Sequence, residues 1–218
     1  MAKTKLTVPL LCQEASAFAE VESTYPEPTL YGVTDGKAIG TYLEHKFRAH
    51  LDVKYTFTPS NSASGIDFPD LDVDMKVTAI TQPQSSCPFK SARQKIFGLG
   101  DSLLVFVYEK TDDPKTNTAV LNIRHTVFVE ERCTADFSMT KLVLKHLEVG
   151  CSVEDLVGLM HDKNLPVDDI EATRIAKELL EAPCKQGYLT ISNALQWRLQ
   201  YARVIGQAGK VDGIVKLR

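Results

Sequence analysis

The stretch IDFPDLDVDMKVT, residues 66–78, decides how this chain is read. Val73, Met75 and Val77 alternate there with Asp72, Asp74 and Lys76. Neighbouring side chains of a β-strand point to opposite faces, so the alternation predicts a strand with one apolar and one charged face. Pro69 cannot sit inside a paired strand and marks a bend between two extended arms of the 66–80 segment. Across that bend Asp67 can approach Asp74, while Lys76 lies two residues on, on the same face as Asp74. Aspartate is a poor strand former, and several crowded together repel one another unless a cation joins them. Two converging carboxylates hold a hard dication through oxygen, and Mg²⁺ suits such a pair because it keeps waters for a substrate. A lysine beside it can orient the attacking water and offset charge developing on a phosphate.

Context singles this pair out. The chain holds five acid-x-lysine triplets: Asp35/Lys37, Glu44/Lys46, Asp52/Lys54, Asp74/Lys76 and Asp113/Lys115. Only Asp74/Lys76 lies in a strand with an apolar opposite face and a further acid upstream across a bend. Glu44 is a candidate fourth member. Ile39, Leu43, Phe47 and Leu51 recur every four residues and predict an amphipathic helix over 36–51, opened by Thr34-Asp35-Gly36. Glu44 borders the buried stripe of that helix, and Gly36 and Gly40 leave the surface above it uncovered. The competing reading pairs Glu44 with Arg48 one turn on.

Working outward, a short helix is expected around 14–22 and a short strand at 53–58, followed by a polar loop. After the bent ribbon, a loop carrying Gln84, Ser85 and Ser86 leads to a helix over 90–97, ended by Gly98 and Gly100. Residues 102–108 form an apolar run suited to a buried strand, and 119–129 form another. Beyond Phe137 the pattern turns helical, at 139–148, 152–161, 168–181 and 190–207. The fold class expected is α/β (an α+β mixed sheet), with a core over 1–135 and a helical C-terminal extension over 136–218.

Bulk properties fit a globular chain of 218 residues that is 44% hydrophobic and 24% charged. No apolar run is long enough to span a bilayer. The five cysteines are scattered with no CxxC pair, which argues against zinc and disulfides and for a reducing, cytoplasmic setting. No GxxxxGK loop, strand-linked GxGxxG or nucleophile elbow is present. Net charge is −3, but it is uneven. From Met75 to Gly100 there is no acid, and after Ala182 Asp212 stands alone against several Lys and Arg. A phosphate backbone responds to local basic surface rather than to the total.

With its order of helix, three strands, helix and strand, and with Asp67-x6-Asp74-x-Lys76 on the central ribbon, the chain resembles the PD-(D/E)xK nuclease superfamily. The spacing is close to that of the methyl-directed mismatch-repair nicking endonuclease. The segments IDFPDLDVDMKVT, PQSSCPFKSARQKIFGLG and LLVFVYEK look like those of a type II restriction endonuclease. The resemblance covers about 35–130. It implies a restriction-endonuclease-like core and Mg²⁺-dependent cleavage of double-stranded DNA at a specific sequence, leaving 5′-phosphate and 3′-hydroxyl ends. It also implies a prokaryotic cytoplasmic enzyme acting as a homodimer. The alternatives are a strand-nicking repair endonuclease or a catalytically inactive DNA-binding protein of the same fold.

The resemblance assigns Glu44, Asp67, Asp74 and Lys76 to catalysis, with Asp67, Asp74 and Glu44 on the metal. The literal Pro69-Asp70 pair stands too near Asp74 for the usual family spacing, so Asp70 is held in reserve. Gln94 resembles a glutamine that supports the site in some branches, though an exposed helical glutamine explains it equally well. For DNA contacts the candidates are Lys90 and Arg93, and Asn193, Arg198 and Arg203 on the expected 190–207 helix. Amide and guanidinium groups suit base edges, while a plain surface helix is the competing reading.

Overall fold

The computed structural model describes residues 3–58, 65–87, 91–192 and 197–218. In chain order the elements are β1 (Thr4–Lys5), α1 (Val8–Glu22), β2 (Pro26–Glu27), α2 (Gly36–Asp52), β3 (Tyr55–Thr56), β4 (Val73–Ala79), β5 (Gln84–Ser86), α3 (Ala92–Phe97), β6 (Ser102–Asp113), β7 (Thr118–Val129), α4 (Phe137–Glu148), α5 (Val153–Asp162), α6 (Asp169–Glu181), β8 (Thr190–Ser192), β9 (Arg198–Gln200), α7 (Ala202–Gln207) and β10 (Ile214–Lys216). The architecture is mixed α/β, as the patterning indicates. Two units divide it, one of Met1–Gln84, Leu103–Val129 and Gln207–Arg218, the other of Ser85–Ser102 and Glu130–Gly206.

In the first unit the sheet order is β10-β7-β6-β4, with β2 also pairing β7. β6 and β7 form a long antiparallel hairpin, and β10 adds antiparallel to β7, Ile214 opposite Val129. α1 packs on β7 and α2 on β4. Asp35 opens α2 by accepting from the Lys37 amide at 3.0 Å, and Ile39, Leu43, Phe47 and Leu51 are all buried. Phe47 lies at the centre, with its ring 5.1 Å from Phe18, 5.3 Å from Phe106 and 6.5 Å from Phe68. Burying one such side chain stabilises by about 1.5–3 kcal/mol. Glu14, buried on α1, ties the two helices together. It accepts from His50 at 2.7 Å, Lys54 at 2.8 Å and Tyr55 at 2.8 Å. Burial alone would raise its pKa, but the bonds from Lys54, Tyr55 and His50 hold it down at about 2.

Some expectations shift. α1 begins at Val8, because Pro9 falls in its first turn, where the missing N–H costs nothing. The strand at 53–58 shrinks to Tyr55–Thr56 and pairs in parallel with β1 rather than joining the main sheet. The helix expected at 90–97 is described from Ala92, capped by Ser91.

In the second unit α3 to α6 bury Ile96, Met139, Leu156 and Ile175 in one apolar cluster. Asp136 caps α4, accepting from the Met139 amide at 2.8 Å and from the Ile191 amide at 2.7 Å. The helix expected over 190–207 is overturned. Residues 190–192 and 198–200 instead supply β8 and β9, and among the described residues of that segment only Ala202–Gln207 is helical. Trp197, Leu199 and Tyr201 are buried while Arg198 and Gln200 are half-exposed, a period of two rather than 3.6.

Candidate active site

The bent ribbon forms by a tight reversal. Phe68 and Val73 pair as an antiparallel bridge, the Phe68 amide donating to the Val73 carbonyl at 2.9 Å. Pro69–Leu71 make a 3₁₀ turn between them, closed by Asp72 in the left-handed region at φ 51°. Short polar side chains such as aspartate tolerate that conformation. Asp72 therefore belongs to the turn, and the charged row of the strand reduces to Asp74 and Lys76. Phe68 buries its ring beside Phe57 and Phe47, which anchors the first arm.

The reversal carries Asp67 onto the second arm. Its Oδ2 accepts from the Met75 amide at 2.8 Å, and its Oδ1 accepts from the Arg48 guanidinium. Asp67 and Asp74 lie within hydrogen-bonding reach of each other, and the Lys76 ammonium pairs with Asp74. Burial pushes the Asp74 carboxyl up to about 7. Lys76 opposes the shift by charge and hydrogen bond, while Asp67 adds to it in both ways. Glu44, half-buried on α2, is raised by burial and by the charge of Asp67, against the pull of Arg48, Lys76 and His45. One partly desolvated pocket of charge thus gathers Glu44, Asp67, Asp74 and Lys76 from α2 and the two arms.

The other four triplets are accounted for locally. Asp35 caps α2, and Lys46 pairs with Glu22 at 2.7 Å. Asp52 pairs with Lys3 at 3.0 Å, Lys54 bonds Glu14, and Asp113 accepts from the Lys115 amide at 2.9 Å in the β6–β7 turn. Asp70, the reserve ligand, is exposed and accepts from the Thr58 amide at 2.8 Å. Among the described residues no three His, Cys, Asp or Glu side chains are grouped closely enough to hold a metal by themselves.

Arg48 is the residue that spacing misassigned. The competing reading of Glu44 gave Arg48 to it as an i+4 partner, but the guanidinium goes to Asp67, 19 residues away. Its Nε is buried with no hydrogen-bond partner among the described residues. The available signal was its place one turn beyond Glu44, on the same flank of α2.

The remaining described candidates belong to the second unit. Gln94 is on α3 in the second unit, its Oε1 buried without a donor among the described residues. Arg93 is committed to Glu178 at 2.7 Å and lies over the Phe97 ring, so ion pairing within the helices accounts for it. Arg203 sits on α7 with its guanidinium 3.8 Å from the Phe137 ring centre. Arg198 is on β9, not on a helix. Lys90 and Asn193 fall outside the described residues.

Comparison with known proteins adds a family. One described as "Type II restriction enzyme NspV" matches residues 5–216. The chain belongs to that family. The type II restriction enzyme NspV of Nostoc sp. (strain ATCC 29411 / PCC 7524) is 60% identical over 212 residues, covering 97% of this chain and 96% of the relative. The expected enzyme class, a type II site-specific deoxyribonuclease, is that of the NspV family. No solved structure matches. Among the described residues no helix is long and apolar enough to cross a membrane.

Proposed function

We propose that the chain is a sequence-specific endonuclease of the PD-(D/E)xK kind, hydrolysing duplex DNA with Mg²⁺ at Asp67, Asp74 and Lys76 in the first unit. The observation that carries this is the meeting of Asp67 and Asp74 across the Phe68–Val73 bridge, beside the Lys76 ammonium. The donor set fits a hard dication. It offers carboxylate oxygens only, crowded and partly desolvated, so that positive charge is favoured between them. Two protein carboxylates suffice for Mg²⁺, which fills its remaining positions with water and phosphate oxygen.

Asp67 and Asp74 would hold the ion, with Glu44 reaching it directly or through water. Bound there, Mg²⁺ supplies Lewis-acid polarisation of the scissile phosphate and acidifies the attacking water. Lys76 donates to that water and offsets the charge growing on phosphorus. The water oxygen would bond to phosphorus while giving up one proton to bulk water, and the P–O3′ bond would break with its electron pair left on the 3′ oxygen. That oxygen would take a proton back from bulk water, leaving a 5′-phosphate and a 3′-hydroxyl. Arg48 and the Met75 amide keep the Asp67 carboxylate aimed. Cutting both strands of a symmetric site is what a homodimer does, and the absence of any CxxC pair suits the cytoplasm.

Incubating the purified chain with supercoiled plasmid and phage DNA of known sequence, with Mg²⁺ or with EDTA, tests the proposal. Linear products whose sequenced ends share one short motif are expected with Mg²⁺ alone, and Asp74→Ala abolishes them. Nicked circles alone would mean a single-strand enzyme, and intact DNA under every dication would end the nuclease reading.

A further inference from the structure

Two stretches free of carboxylates, 75–100 and 182–211, stand far apart in the sequence. They meet in one sheet: β5 comes from the first, β8 and β9 from the second, and β9 lies in the middle. The β8–β9 register sets Thr190 opposite Gln200, Ile191 opposite Leu199 and Ser192 opposite Arg198. Alternation then sorts the side chains by face. Ile191 and Leu199 are buried, while Thr190, Ser192, Arg198 and Gln200 are half-exposed on the other side. Arg198 reaches across to β5, its Nη1 donating to the Ser86 hydroxyl at 3.0 Å, whereas neighbouring Ser85 turns the opposite way, to the Tyr201 hydroxyl at 2.5 Å.

We infer that this polar face of the β5–β9–β8 sheet reads base edges in the major groove of duplex DNA. The major groove admits a two-stranded ribbon as readily as a helix. The groups presented are those that base edges need: a guanidinium for guanine O6 and N7, an amide for adenine N6 and N7, and hydroxyls that pair with either. A solvated strand face ordinarily mixes both signs of charge, whereas the three strands here contribute no carboxylate to repel the phosphates. The Ser86 bond holds the Arg198 fork across the strands, so less freedom is lost when it engages a base. The inference rests on the DNA-cleaving reading above and adds which surface chooses the sequence.

The test starts from the cleavage motif that wild-type protein yields on phage DNA. Binding is then measured with Ca²⁺ in place of Mg²⁺, on a duplex carrying that motif and on duplexes altered at one base pair. Arg198→Ala and Gln200→Ala are each expected to reduce the ratio of motif to altered-duplex affinity about 10- to 100-fold, at one position of the motif each. Arg198→Lys keeps the charge but not the fork, and leaves that ratio reduced. Folded variants that keep the ratio within twofold overturn the inference. So does an equal loss on every duplex, which marks a phosphate contact. Should Arg198→Ala lose its unfolding transition, Gln200→Ala and Ser192→Ala decide, since neither removes an ion pair or a core contact. Wild-type protein that neither binds nor cuts DNA overturns the endonuclease reading itself, a result distinct from a failure of the variants alone.

Discussion

Replacing Arg48 by methionine isolates the contact that aims Asp67. Methionine fills much of the space of the arginine stem and removes the guanidinium, while the Met75 amide still holds the carboxylate. The side chains of Arg48 and Asp67 are 27% and 16% exposed, which puts the pair between two measured regimes. Surface pairs contribute about 0–1 kcal/mol, and truncating one partner of a buried pair costs about 3–5 kcal/mol. An intermediate loss of about 1–3 kcal/mol follows. If it falls on the placement of Asp67, cleavage slows about 5- to 150-fold, since about 1.4 kcal/mol is a factor of ten. The assay is single-turnover cleavage of plasmid DNA across a range of Mg²⁺ concentrations. The expected signature is a lower rate at saturating Mg²⁺, with the half-saturating concentration unchanged or lower, because a neighbouring positive charge is gone. Arg48→Lys should recover part of the rate. Cleavage within twofold of wild type alongside a lowered unfolding temperature would refute the reasoning, showing that the pair serves stability alone.

Two further outcomes follow from the same cluster. Burial raises the Asp74 carboxyl to about 7, so below that pH a proton would compete with the proposed dication, and Ca²⁺ affinity is expected to fall about tenfold per pH unit. Its folded-state pKa stands above the unfolded value of about 3.9, so without dication the stability from its protonation is full below that value. That contribution is lost as pH rises through about 7. An affinity that stays flat between pH 6 and pH 8 would contradict the assignment. Glu44→Gln, which keeps shape and removes charge, should slow cleavage about 10- to 100-fold if Glu44 reaches the ion through water. Unaltered cleavage across Mg²⁺ concentrations would return Glu44 to the helix surface.

The first unit was legible where local pattern and long-range packing agree. Four apolar residues spaced by four drew α2, and the alternation about Asp74 drew β4. Pro69 announced the reversal, although the left-handed turn at Asp72, which shortens the charged row, left no mark that spacing alone would reveal. Of the three strands expected before the second helix, the first arm of the ribbon reduces to the single Phe68–Val73 bridge, while Gln84–Ser86, expected as a loop, forms β5, and β3, β4 and β5 go to three different sheets. Strand partners are chosen by contacts distant in sequence, which composition does not encode. The 190–207 segment misled because Leu195, Leu199 and Ala202 imitate a helical stripe. Trp197, Leu199 and Tyr201 carried the competing alternation, and it prevailed. Arg48 was hidden for the opposite reason: a nearby acid offered an easy local partner, and the true one lies across the ribbon.

The pairing of β10 with β7 bears on how this protein is made. Asp74 belongs to the sheet whose edge is completed only by Ile214–Lys216. During translation, earlier segments gather first, but that edge stays open until residue 216 has left the ribosome. A growing chain therefore holds Asp74 in a sheet that still lacks one of its strands, and the sheet is complete only once Ile214–Lys216 has paired with β7.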